Sequence, residues 1–75
     1  MKIDEIIRRN GKTLAICSGE EVRPGLQCSQ IEAAGKKVDV LDCYVKESAT
    51  AGILAAYLTL NGDADVFIGP VQVIV

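Results

Sequence analysis

Cys17 and Arg23 are the residues of this chain best suited to chemistry. Ser18-Gly19-Glu20-Glu21-Val22 separate them, an apolar run precedes them and Pro24 follows. A thiolate is a nucleophile. The amides of a tight loop and of a following helix can hold a phosphate, and an arginine fork binds its oxygens. On this reading Cys17 is catalytic. Ser18, Gly19 and Arg23 bind a small anion, and Gly69 approaches from a later strand. Glu20 and Glu21 sit inside the proposed loop and repel a dianion. The sequence has no His, which removes Ser-His-Asp, Cys-His and imidazole chemistry together. The plainer reading makes Cys17 a small core residue and Arg23 a solvated charge.

Other constellations are weaker. Cys28 and Cys43 fall on apolar phases and read as thiols filling a core. No C-x-x-C pair occurs, and no metal site or cofactor is expected. Glu20, Glu21 and Asp42 follow two strands and could gather round a hard cation, but solvated loop charges explain them as well. Ser48 and Thr50 stand where a helix would begin, and N-capping accounts for Ser48. Lys36-Lys37 read as solvated charges at a helix exit. No G-x-G-x-x-G occurs, so nothing supports dinucleotide binding.

The elements that would position these residues read as helix, then β-α-β-α-β. Ile3, Ile6 and Ile7 have the spacing of one helical face over residues 3–9, with Asn10-Gly11 as the stop. Residues 13–17 form an apolar run that suits a strand buried on both faces. Pro24 opens a helix over 25–34, closed by Gly35. Residues 38–45 alternate as a strand, and the phase slips between Val40 and Leu41, which predicts a bulge or a change of environment. Ser48 caps a helix over 49–60 that is apolar round its whole girth and therefore wants a partner. Residues 66–75 are β-branched, and Gly69-Pro70 must end, bend or edge the sheet there.

This alternation predicts an α/β domain over residues 1–75. It would be a three-stranded, mainly parallel sheet in the order 2-1-3, with an extra N-terminal helix. The alternative is α+β with an antiparallel terminal hairpin around Gly69-Pro70. In the 2-1-3 order, ligands bind beyond the strand ends where the order reverses. That places Cys17-Ser18-Gly19 beside Ile68-Gly69-Pro70.

Two resemblances follow from these motifs. Leu14-Ala15-Ile16-Cys17 to Arg23-Pro24 resembles the strand–loop–helix of the low-molecular-weight tyrosine phosphatases and related arsenate reductases. An apolar strand ending in Cys17-Ser18, with Ala64-Asp65-Val66-Phe67-Ile68-Gly69-Pro70 later, is similar to the phosphocysteine-forming B components of the sugar phosphotransferase system. The second resemblance implies Cys17 as phosphoryl acceptor and Ser18-Gly19 as part of its cradle. The chain departs from both families: no late Asp-Pro supplies a general acid, and the chain ends before their further strands and helices.

Composition narrows the classes. The 75 residues are 49% apolar and 24% charged, and 8 basic against 10 acidic side chains leave a net charge of −2. That predicts a folded domain with no electrostatic case for nucleic acid or an anionic membrane. No apolar run is long enough to span a bilayer as a helix. The charged start of the sequence argues against a signal peptide, so a cytoplasmic protein with reduced thiols is expected. So small a domain is marginal alone, which favours a homo-oligomer. The function expected is a non-catalytic binding or assembly module. The alternative is a Cys17-loop phosphoryl-transfer or redox protein that binds phosphate-like anions.

Overall fold

Two short turns organise the chain. Asn10-Gly11 and Ala34-Gly35 each carry two successive residues with positive φ, 54° and 72° in the first and 53° and 78° in the second. That is the backbone of the tight hairpin turn whose twist matches two antiparallel strands, and Asn-Gly is its preferred sequence. The first joins β1 (Lys2–Arg9) to β2 (Lys12–Ser18), and the second joins β3 (Gln30–Ala33) to β4 (Lys36–Glu47). The remaining strands are β5 (Leu54–Asn61), β6 (Gly69–Pro70) and β7 (Gln72–Ile74). The computed structural model describes residues 1–48 and 52–75.

The strands form one antiparallel sheet in the order β6-β1-β2-β5-β4-β3-β7. β3, β4 and β5 run as a meander, and β5 returns to lie beside β2, which is a Greek-key arrangement. β6 and β7 are separated only by Val71. β6 pairs with β1 at one margin and β7 pairs with β3 at the other, so the sheet nearly closes into a barrel.

The expected α/β domain is therefore corrected. Among the described residues there is no helix, and every strand pair is antiparallel rather than parallel in the order 2-1-3. The terminal-hairpin alternative fails as well, because β6 and β7 pair with opposite margins instead of with each other. The expected N-terminal helix is β1. A bulge at Asp4 shifts its register between Ile3 and Glu5, so an alternating strand acquires the Ile3, Ile6, Ile7 spacing of a helix. The segment expected as the second helix holds a loop and then β3. The apolar helix expected over 49–60 is β5 from Leu54 onward, while Ala49, Thr50 and Ala51 lie outside the described residues. Among the described residues no helix is long and apolar enough to cross a membrane.

Three features of the sequence reading hold. Residues 13–17 are a central strand, paired with β1 on one side and β5 on the other. The phase slip in β4 is a bulge between Val40 and Asp42, which leaves Leu41 54% exposed. The chain also bends at Gly69-Pro70, where it crosses from one margin of the sheet to the other.

The core lies inside the barrel. Thr13, Ala15 and Cys17 of β2 face Leu60, Leu58 and Ala56 of β5, and all six are fully buried. Loops plug the two ends: Val22 is buried from the loop after β2, and Ala64 and Val66 are buried from the loop after β5. Thr13 holds the second plug. Its hydroxyl donates to the Gly62 carbonyl at 2.8 Å and accepts from the Ala64 amide at 3.3 Å. Arg8 reinforces it by donating to the Ala64 carbonyl at 2.9 Å.

Thr13→Val keeps the shape of the side chain and adds apolar surface, yet it strips a partner from a buried amide. It should destabilise the fold by about 1–3 kcal/mol. Urea unfolding, with an unchanged denaturant slope, measures this; a neutral or stabilising effect would contradict the role given to Thr13.

Candidate functional site

β2 ends by turning its residues alternately in and out of the barrel, and this alternation divides the Cys17 loop. Cys17 points inward, pairs across to Ile3, and is 0% exposed. Ser18 is the next residue and stands opposite Lys2. Gly69 is the neighbour of Ile3 on its other side, so Cys17 and Gly69 share one row of the sheet with Ile3 between them. Ser18, Gly19 and Arg23 line an open cleft with Met1, Lys2, Glu20 and Glu21, and neither Cys17 nor Gly69 reaches it.

That cleft is poorly made for an anion. Two of its three cations are ion-paired and the third, Arg23, is hydrogen-bonded to the loop backbone. The Arg23 Nε donates to the Glu20 carbonyl at 3.1 Å, Lys2 lies 3.4 Å from Asp4, and the Met1 amine lies 2.7 Å from Glu21. The contact with the amine holds the Glu21 carboxyl below the usual carboxylate range. The loop after β2 runs into turns rather than a helix, so no helix N-terminus faces Cys17. The strand–loop–helix implied by the phosphatase resemblance is thus replaced by a strand and a plug.

The environment of Cys17 keeps it protonated. Burial pushes the thiol from 9.0 up to about 12, and the negative charge of Asp4 pushes in the same direction. A reactive cysteine needs the opposite setting, electropositive and open to solvent. Cys28 and Cys43 are half-buried and packed against the core, each raised chiefly by burial. The Cys28 Sγ lies 3.2 Å from the Gln30 carbonyl.

The remaining sequence candidates are dispersed. Glu20 and Glu21 lie in the cleft, whereas Asp42 lies on β4 opposite Thr59. Among the described residues no three Cys, Asp or Glu side chains come close enough to hold a metal ion. The Ser48 amide donates to the Ile53 carbonyl at 2.8 Å, which closes a loop instead of capping a helix. Lys36 is ion-paired with Asp65 at 2.6 Å, and its ammonium is raised by that contact.

The surface that stands out is the outside of the barrel. Ile7 of β1, Leu14 and Ile16 of β2, and Tyr57 of β5 are half-buried on the face opposite the core, and Tyr44 of β4 is 44% exposed beside them. Tyr44 and Tyr57 are directly opposed across the strands and stack with centroids 5.1 Å apart and planes 8° apart. The Lys46 ammonium lies 4.9 Å from the Tyr57 ring centre. At the β1–β2 end this face dips into a depression of about 200 Å³ lined by Ile7, Leu14 and Thr59, with Arg9 and Lys12 at its rim. Sequence reasoning missed this face because it took β1 and β5 as helices. One signal was present in Asn10-Gly11, which is the preferred sequence of a tight hairpin turn.

Comparison with protein-family models, with curated proteins and with solved structures finds no match.

Cys17 should resist alkylation in the native protein at neutral pH, while Cys28 and Cys43 react. Mass spectrometry after iodoacetamide treatment checks this, and rapid native labelling of Cys17 would refute its enclosure. Below pH 9 the folded and unfolded chains both hold the Cys17 proton. Between 9.0 and about 12 the unfolded chain releases it and the folded chain does not, so rising pH erodes stability across that window. Cys17→Ala, less stable by about 1 kcal/mol at neutral pH, should show a flatter alkaline decline in urea midpoint than the parent.

Proposed function

We propose that this protein is a non-catalytic assembly module that works as a homo-oligomer through the outside of its barrel. The observation that carries this reading is the apolar and aromatic face formed by Ile7, Leu14, Ile16, Tyr57 and Tyr44 across four neighbouring strands. A contiguous apolar surface on a small protein marks a contact site more often than a chemical one. The tyrosine pair suits that role. Tyrosine brings large contact area with little conformational freedom to lose and carries a polar end that tolerates water.

Two further observations support this reading over the Cys17-loop alternative. The interior is filled by side chains, so the barrel encloses no substrate-sized space around Cys17. The thiol that would carry phosphoryl or redox chemistry is enclosed and protonated. A barrel of this size has little room inside for function, because its inward residues are needed to fill it.

Sedimentation velocity from low micromolar to near-millimolar concentration tests the reading. The weight-average mass should rise with concentration. Ile16→Lys, in the middle of the face, should weaken that rise while changing stability by less than about 1 kcal/mol. A chain that stays monomeric throughout the range would overturn the proposal, as would association that Ile16→Lys leaves unchanged.

A further inference from the structure

Arg9 and Lys12 are placed directly opposite each other on β1 and β2. Like charges so placed repel, and the pairing persists only at a cost unless an anion joins it. Among the described residues neither has an ion-pair partner. Both stand at the rim of the depression floored by Ile7 and Leu14. The site therefore asks for an apolar group that carries a negative charge beside it. Its volume of about 200 Å³ suits one large side chain, since an apolar cavity of about 150 Å³ accepts a benzene ring.

The same chain displays such a group elsewhere. Phe67 and Ile68, in the loop between β5 and β6, are 74% and 68% exposed. Asp63 of that loop is exposed and has no cation partner among the described residues, whereas Asp65 is held by Lys36. Exposure this large shows that the loop does not fill the depression of its own chain. Apolar side chains left in water on a loop that also carries an unpaired acid, and an apolar depression lined by unpaired cations, are complementary in sign and in polarity.

We infer that the Phe67–Ile68 tip of one copy seats in the Ile7–Leu14 depression of a second copy, with Asp63 facing Arg9 and Lys12. This inference rests on the assembly reading and specifies the contact. Each copy offers one tip and one depression, so two copies pair reciprocally as a two-fold dimer, or the contact propagates head to tail as an open chain or ring. A single tip covers less area than a standard interface, so the association is weak per contact and falls with salt.

Mixing two defective variants provides the test. Phe67→Ser with Ile68→Ser removes the tip and leaves the depression intact. Arg9→Glu with Lys12→Glu reverses the rim and leaves the tip intact. All four positions are exposed, and thermal melting with far-ultraviolet circular dichroism verifies that each variant is folded. The parent should associate with concentration in sedimentation equilibrium, stopping at a dimer if pairing is reciprocal and growing beyond it if the contact runs head to tail. Each variant alone should associate at least tenfold more weakly. An equimolar mixture should recover association but stop at a one-to-one dimer, because one intact tip meets one intact depression and nothing remains to extend it. A mixture that stays monomeric would overturn this contact, and so would variants that associate as the parent does, although in both cases the self-association of the parent would leave the assembly reading standing. A monomeric parent would overturn both.

Discussion

Closure of the sheet at Val71 is the constraint on which the rest of the structure depends. Its amide donates to the Met1 carbonyl at 2.8 Å, and its side chain is buried in the core. On one side of it Gly69-Pro70 pairs with β1, and on the other Gln72–Ile74 pairs with β3. One short segment therefore occupies both margins that the sheet would otherwise leave open. Unpaired margins are costly for so small a sheet, because they expose ladder groups and invite pairing with other chains. Pro70 is tolerated because it sits where the chain leaves one ladder for another, and a proline cannot serve the middle of either. With the margins joined, the inward residues of every strand meet, and Ile3, Ile31, Leu58 and Leu60 become fully enclosed.

The sequence was legible where strand alternation was undisturbed and misleading where it was not. In β4 the slip after Val40 could be read directly, because Val38, Val40, Cys43 and Val45 keep strand spacing on either side of one extra residue. In β1 the same device hides the strand. The extra residue at Asp4 places Ile3 and Ile6 three apart, and Ile7 adds a half-buried outward position, so one bulge imitates a helical face. β5 misleads for a different reason. It is flanked by β2 and β4, and its outward residues Ala55, Tyr57 and Thr59 are themselves small or half-covered. Apolarity on both faces then reads as a helix with no polar side. Asn10-Gly11 carries both meanings in a sequence, helix stop and hairpin turn. Neither flank alternates plainly here, because a bulge interrupts β1 and β2 is apolar on both faces, so the sequence left the two meanings undecided.

The candidate site was legible in composition but not in direction. Cys17, Ser18, Gly19 and Arg23 do gather near one end of the barrel, and Gly69 does lie one strand beyond Ile3. What a linear motif cannot convey is the side of the sheet on which each residue emerges. A one-residue step along β2 separates a thiol facing the core from a hydroxyl facing the loop. A Cys-x5-Arg loop performs phosphate chemistry only when both ends face one cradle. Here the strand continues to its end without the turn that would bring Cys17 outward. The Arg23 side chain folds back onto the Glu20 carbonyl, three residues earlier in the same loop.

The same geometry explains what the outside of the barrel carries. A nearly closed sheet that encloses Ile3, Ile31, Leu58 and Leu60 beside Ala15, Cys17 and Ala56 has its interior filled by side chains. Nothing the size of a metabolite fits there without displacing the core. Apolar residues in excess of those the interior can accept must then lie on the outer face or in the loops, and the chain is 49% apolar. Such residues scattered singly would need no explanation. Here they are grouped, with Tyr44 and Tyr57 stacked across two strands, Ile7 and Leu14 flooring a depression, and Phe67 and Ile68 adjacent on one loop. Filling the barrel and grouping the surplus apolar residues outside it are two consequences of one composition.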